Sequence, residues 1–508
     1  MTLHVRRAIA ALSLFAFAAG SLAGCDFRVS SGPASTNPYS TNPGTSPETV
    51  DGEGIAWQDF GADGRVQTGV LTVPLDHSDP SKGTIELFLA RHLAEPDQRI
   101  GSLLVNPGGP GFGGSDYAVY AEQVYGADLL SRFDIVGWDP RGTGLSEPAI
   151  DCIDDYDAYF AVGDITPDTD AERQELIDLS KRFTEQCIER SGDFMAYTGT
   201  NQSAHDIDAI RRALGEDTIS YFGWSYGSEL GAVWATLFPD TVRAAVLDGA
   251  ADPTADSLDR SLQQAAGFEQ ALNTFLADCS DDSTCPFHHD GDAEGAFDAL
   301  MQRIDDEPLP TVEERPRLTR GMALTAVAQA MYSTDLWPDL QAALAAGDDG
   351  DGAPLLALYD QYLQRRDDGT WDDTLEAFQV ISCQDMAERA TVEEEDSLAA
   401  RYREVAPRTA PGTTGSYFCT FFPPAIDPEI PVTAKGAGPI LVMGTTGDPA
   451  TPLEGTRRMA EALEDGRLVV VTAEGHTGYS VGKCSAKVIE EYLIDPAGKA
   501  PDDGTECR

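Results

Sequence analysis

Ser225, Asp448 and His476, spread through a chain of 508 residues, are of the types that together make a strong nucleophile near neutral pH. A serine hydroxyl alone attacks poorly; it needs a base within hydrogen-bonding reach, and the base needs an acid to orient it. Ser225 sits in Gly223-Trp224-Ser225-Tyr226-Gly227, preceded by the β-prone Ile219, Tyr221 and Phe222 and followed by an apolar helical run that stops at Pro239. That is the strand–turn–helix setting of a nucleophile elbow, a turn tight enough to strain the serine backbone and leave its hydroxyl clear. A second Gly-x-Ser-x-Gly, at 478–482, has no strand running into its first glycine and too little chain after it for an acid and a base, so Ser480 reads as a loop or helix-start serine. The chain holds seven histidines, and only His476 follows the last predicted strand. Asp448 is the expected acid from its GTTGDPATP setting; Asp248, closing the preceding strand, is the rival.

The elements that must carry these residues alternate between strand and helix. Val66–Val73 and Thr84–Leu89 read as a strand pair joined by DHSDPSKG; Gly101–Val105, Phe133–Trp138, Arg243–Leu247, the run ending at Asp448 and the run ending at His476 read as further strands. Alternation of this kind predicts an α/β fold with a mostly parallel sheet, gathering all three residues at one end. The loop NPGGPGFGG after Val105 lacks both the Gly-Lys-Ser/Thr of a phosphate cradle and the dinucleotide spacing, and no cofactor is expected. From Ser257 to Tyr402 several stretches carry helical apolar spacing, broken by Pro, Asp and Gly.

Taken in order, NPGGPG, DPRGTGLS, GWSYGS and LDG resemble the α/β-hydrolase fold, and more closely its secreted tripeptidyl-aminopeptidase and proline-iminopeptidase-like branch with a TAP-like C-terminal region. The resemblance covers Val66 to Pro253 and Pro439 to Cys484. It implies a core at 53–253 and 436–508, a helical cap at 254–435, and cleavage of peptides from a free N-terminus through an acyl-enzyme. The oxyanion donors would be the N–H groups of Tyr226 and Gly109. Relatives carry His-Gly-Gly-Pro-Gly where this chain has Pro107 in the histidine position, so only the backbone donor carries over. Ile381-Ser382-Cys383-Gln384-Asp385 resembles a cap motif of the branch, making Asp385 the candidate for meeting the substrate amine. Two other readings stand beside this one: an ester or amide hydrolase on the same triad, since fold does not fix substrate, and a non-catalytic surface-binding lipoprotein, against which the complete triad argues.

Residues 1–24 have Arg6 and Arg7 ahead of an apolar run too short for a typical span, ending in Leu22-Ala23-Gly24-Cys25. This resembles a bacterial lipoprotein signal with Cys25 as the lipidated residue, predicting an exported protein held at the outer face of the membrane. Residues 25–52, rich in Ser, Thr, Pro, Asn and Gly, read as a flexible tether. With 85 Asp and Glu against 35 Lys and Arg, nucleic acid and anionic lipid are poor partners. Setting Cys25 aside, eight cysteines remain, which suits an exported protein; their grouping favours the neighbour pairs 152–187, 279–285, 383–419 and 484–507 out of 105 possibilities. No metal-ligand spacing is present.

Overall fold

The computed structural model describes residues 54–508 apart from 62–63, 162–164, 168 and 411–416; the leader, Cys25 and the tether lie outside the described residues. A ten-stranded sheet forms the centre: β1 (Gln58–Phe60), β2 (Val66–Pro74), β3 (Thr84–His92), β4 (Gly101–Asn106), β5 (Phe133–Trp138), β6 (Ile219–Trp224), β7 (Val242–Asp248), β8 (Ile440–Gly447), β9 (Gly466–Glu474) and β10 (Thr505–Cys507). Their lateral order is β1-β2-β3-β5-β4-β6-β7-β8-β9-β10. Pairs from β1 to β3 and between β3 and β5 are antiparallel; all others are parallel.

The strand interiors explain the parallel half. Every residue of β4, β5 and β6 is buried, as expected of strands covered on both faces. Alternate side chains go to opposite layers. Leu104, Tyr221, Leu247 and Val442 pack on one face against Ile207 and Ile210, Leu230 and Trp234, and Met459, from the helices Thr200–Ala213, Tyr226–Leu237 and Leu453–Ala462. Leu103, Phe222, Val246 and Leu441 pack on the other against Ile489, Tyr492 and Leu493 of the helix Lys483–Ile494.

Between β7 and β8 the chain leaves the sheet and builds a helical body from Ser257–Asp281, Ala293–Asp306, Arg320–Met331, Trp337–Asp348, Ala353–Tyr362, Thr374–Asp385 and shorter pieces. It has an apolar core of its own, including Phe275, Phe297, Leu300, Val327, Leu344 and Leu355. A second excursion, between β5 and β6, joins this body. Ile150, Phe183 and Met195 pack against Ala377, Val380 and Ile381 of the helix Thr374–Asp385, and Tyr156 enters the helical core. The stretch 53–253 therefore includes a piece of this helical body, which forms a roof at the carboxyl edge of the sheet, and its polar sequence concealed that. In the helix Asp170–Ser191, started by a Thr169–Glu172 capping box, only Ile177, Leu179, Ser180, Phe183, Thr184 and Cys187 are buried.

Among the described residues, four disulfides join Cys152–Cys187, Cys279–Cys285, Cys383–Cys419 and Cys484–Cys507. The third ties the helix Thr374–Asp385 to the strap that returns toward β8. Replacing both Cys383 and Cys419 by Ser should lower stability by about 2–4 kcal/mol in denaturant titration, the usual worth of a closed loop; an unchanged midpoint would mean the loop is held by other contacts.

Candidate active site

Ser225 follows β6 and caps the helix Tyr226–Leu237 with φ 55° and ψ −127°. A non-glycine residue reaches this left-handed region only when its surroundings impose it. Here they do. A Cβ on Gly223 would lie 2.1 Å from the Gly227 carbonyl oxygen, and one on Gly227 would lie 2.5 Å from the Asn106 carbonyl oxygen, so the turn closes only with glycine at both places. The Ser225 N–H donates to the Asp248 carbonyl at 2.8 Å, fastening the elbow to the end of β7.

The glycine-rich loop after β4 lies directly against this turn. Asn106 Oδ1 accepts the Gly108 N–H at 3.0 Å. Gly108, at φ +99°, comes so near the elbow that a Cβ there would stand 2.4 Å from the Trp224 carbonyl oxygen and 3.0 Å from the Tyr226 nitrogen. Gly109 is the next residue, so its amide and that of Tyr226 lie in adjoining turns. Tyr226 is the first residue of its helix, and its N–H has no intrahelical acceptor. On the loop's other side, Gly111 packs against the backbone of Thr374 and Phe378 in the roof helix.

Asp448 and His476 leave β8 and β9, two and three strands along from β6, on the same carboxyl edge of the sheet. His476 Nδ1 lies 2.8 and 2.9 Å from the two Asp448 oxygens. The same carboxylate accepts the N–H groups of Ala450 (3.0 Å), Thr451 (2.8 Å) and Thr477 (3.3 Å), which fixes it in place. With the ring proton on Nδ1 facing Asp448, Nε2 carries the lone pair, and this buried atom has no hydrogen-bond partner. The ring is also set from the roof: the His476 N–H donates to the Tyr332 carbonyl at 2.8 Å, and the Tyr332 ring meets the imidazole edge-on at 5.5 Å. A Cβ on Gly249 would lie 3.1 Å from His476 Cε1, so the imidazole lies against the segment that holds the Ser225 amide. Thr451, whose hydroxyl is 3.2 Å from Nδ1, was not singled out from sequence; its position three residues after Asp448 was the available signal. Ser480 lies in the loop before the helix Lys483–Ile494.

Asp385 ends the roof helix and turns inward. It accepts the Thr200 N–H at 2.6 Å and the Thr200 hydroxyl at 2.7 Å, and that hydroxyl is 2.5 Å from the Tyr226 phenol. The residue after Ser225 thus reaches from the elbow to Asp385. Two more carboxylates join: Glu229, one helical turn beyond Ser225, and Glu429, whose N–H donates to the Asp385 carbonyl. Arg260, paired to Glu229 at 2.5 Å, is the cation set against this trio. Burial, then repulsion from neighbouring carboxylates, pushes Glu429 well above the ordinary range; burial raises Asp385 against the pull of Thr200. Three acids facing one guanidinium leave this place short of positive charge. Glu229, Arg260 and Glu429 come together only through the fold, and nothing in their spacing announced it. A cavity of about 710 Å³, lined by Asp154, Arg315, Trp371 and Glu376 among others, contains none of these residues.

Among known protein families, one described as alpha/beta hydrolase fold matches residues 101–290, and one described as TAP-like protein matches residues 410–507. Serine protease Hip1 of Mycobacterium tuberculosis is 37% identical over 461 residues, 86% of each chain. Carboxylesterase B of the same species is 35% identical, covering 86% of this chain and 85% of its own. A tripeptidyl aminopeptidase of Streptomyces coelicolor is 29% identical, covering 88% and 85%.

The acid trio has a measurable consequence. A carboxyl whose folded pKa lies above its unfolded value contributes stability that is complete below the unfolded value and is lost as pH rises through the folded one. Asp385→Asn removes that loss. The melting temperature of the variant should therefore gain on the parent as pH is raised from about 5 to about 8 without substrate. A constant difference across that range would contradict the raised Asp385 carboxyl.

Proposed function

The chain belongs to the α/β-hydrolase family, in its TAP-like branch, and from that premise we propose that this hydrolase is a serine exopeptidase acting on peptides with a free N-terminus. The observation that carries the reading is the Asp448–His476 pair, with an unpartnered Nε2 on the sheet edge where the Ser225 elbow stands. In this reading Nε2 takes the Ser225 proton as Oγ attacks the scissile carbonyl, and Asp448 stabilises the imidazolium through Nδ1–H. The tetrahedral oxygen is met by the N–H groups of Tyr226 and Gly109. His476 then gives its proton to the departing amine, leaving the N-terminal fragment esterified to Ser225. Water, deprotonated by the same nitrogen, releases that fragment as a free acid and restores the serine.

The preference for a chain end follows from charge. An ammonium that enters beneath the roof loses its water, and the loss is tolerable only where a carboxylate meets it. Asp385, with Glu229 and Glu429 beside it, is joined to the Tyr226 side chain through the Thr200 hydroxyl, and an entering ammonium would favour the charged form of its carboxyl. Both the serine protease and the tripeptidyl aminopeptidase relatives agree with peptide chemistry. The carboxylesterase relative favours the second reading, an ester or amide hydrolase on the same triad.

A matched set of peptide amides decides between them. N-acetylation of a good substrate should lower kcat/KM by roughly 10²–10³, and Asp385→Asn should cost free-amine substrates similarly while sparing blocked ones. Ser225→Ala should lower kcat by on the order of 10⁴ and abolish fluorophosphonate labelling. Equal cleavage of free and blocked peptides would leave the ester or amide hydrolase.

For the anchor, the proposal is that Cys25 carries the lipid and holds the enzyme at the outer membrane surface. Cys25→Ser should then move the protein out of the membrane fraction or block its processing. A wild-type mature chain that begins after Cys25 and is found wholly in the medium would exclude it.

A further inference from the structure

Asp248 is fully buried at the end of β7, yet its carboxylate has no place in the chemistry described above, since the carboxylate facing His476 Nδ1 is that of Asp448. Both of its oxygens are nevertheless taken. Oδ1 accepts the Gly478 N–H at 2.7 Å and Oδ2 accepts the Tyr479 N–H at 2.9 Å. The carbonyl of the same residue accepts the Ser225 N–H at 2.8 Å, and the next residue, Gly249, sends its N–H to the Met443 carbonyl in β8. One residue thus grips the nucleophile turn with its backbone and the histidine loop with its side chain.

The histidine loop needs such a grip. Thr477, directly after His476, has φ +69°, a left-handed conformation that a β-branched side chain adopts only under constraint. Thr477 is held on one side by its N–H to Asp448 and on the other by the two amides that follow it, both bonded to Asp248. Released from those amides, the loop would relax toward ordinary backbone angles and carry the imidazole with it. Burial raises the Asp248 carboxyl to about 7, and the Gly478 and Tyr479 amides and the nearby His476 pull the other way.

We infer that Asp248 is a positioning residue for the hydrolytic reaction: it sets His476 Nε2 relative to Ser225 Oγ by holding the 476–479 loop and the elbow from a single point. The inference rests on the serine-hydrolase reading of Ser225, His476 and Asp448, though not on the preference for free amines. It also gives the strand end that rivalled Asp448 a role other than that of acid. Asp248→Asn keeps size and one acceptor, but its NH₂ faces an N–H donor where an oxygen stood, so one of the two loop bonds is lost.

The test uses the full-length enzyme and its best peptide or ester substrate. Asp248→Asn should lower kcat by about 10–100-fold with KM within about twofold, because an interaction that orients the base acts in the transition state. In a His476→Ala background the same substitution should cost nothing further, since its effect passes through the imidazole. A kcat that stays at the parent level, or an equal additional loss in the His476→Ala background, would overturn the inference. Where Asp248→Asn does not fold, hydrogen exchange on the parent protein decides. Amides 478 and 479 should be protected as well as those of β7, and rapid exchange there would overturn it equally. Failure of the triad reading looks different: Ser225→Ala would then retain activity and escape no label.

Discussion

Everything at this site depends on Ser225 being held in a backbone conformation it would not choose. The left-handed turn places the hydroxyl at the end of β6 and starts a helix whose first amide is free to face a developing oxyanion. Such a turn is stable only because nothing is allowed to intrude: Gly223, Gly227 and Gly108 bring three backbone segments to distances that no Cβ would permit. Strand β6 is fully buried and paired on both sides, so the strain is borne by the centre of the sheet. The placement of the Ser225 hydroxyl is thus a property of the sheet, and the loops merely meet it there.

The roof adds a second kind of control. It touches the candidate site at three places: Tyr332 sets the imidazole, the backbone at Thr374 and Phe378 presses on the glycine-rich loop, and Asp385 reaches Thr200 and through it Tyr226. The chain carries a large excess of acid, most of it solvated, but the acids near the elbow are a different population. Asp385, Glu229 and Glu429 are packed together with Arg260 as the cation set against them, and burial raises the Asp385 and Glu429 carboxyls above the ordinary range.

The core was legible because its signals are local. Gly-Trp-Ser-Tyr-Gly between a β-prone run and an apolar helix, and apolar strand runs ending in Asp448 and His476, need no tertiary knowledge to read. The helix Asp170–Ser191 was not legible, because so few of its residues meet the interior that no apolar stripe repeats. The helix Thr374–Asp385 was hidden for the opposite reason: it buries Glu376 and Gln379 among apolar neighbours, and Glu376 is satisfied by the N–H groups of Cys152 and Ile153 on another excursion. Thr451 and Glu229 stood close in sequence to residues already in view, whereas Arg260 and Glu429 are brought in by chain returning from far away. Asp248 was visible as an acid at a strand end; that its oxygens serve backbone amides two strands away was not.

The disulfide pattern has one more consequence. Among the described residues, two bridges lie before residue 286 and two after residue 382, and none crosses from one group to the other. Any single cut between Cys285 and Cys383 would therefore give two fragments with no covalent bond between them. Ser225 would belong to one fragment, Asp448 and His476 to the other. Their reunion would rest on hydrogen bonds such as those along Val246–Asp248 and Leu441–Met443 and on the apolar layers either side. As a linkage diagram, the enzyme is a heterodimer whose subunits happen to share a peptide chain, and the candidate site is their interface.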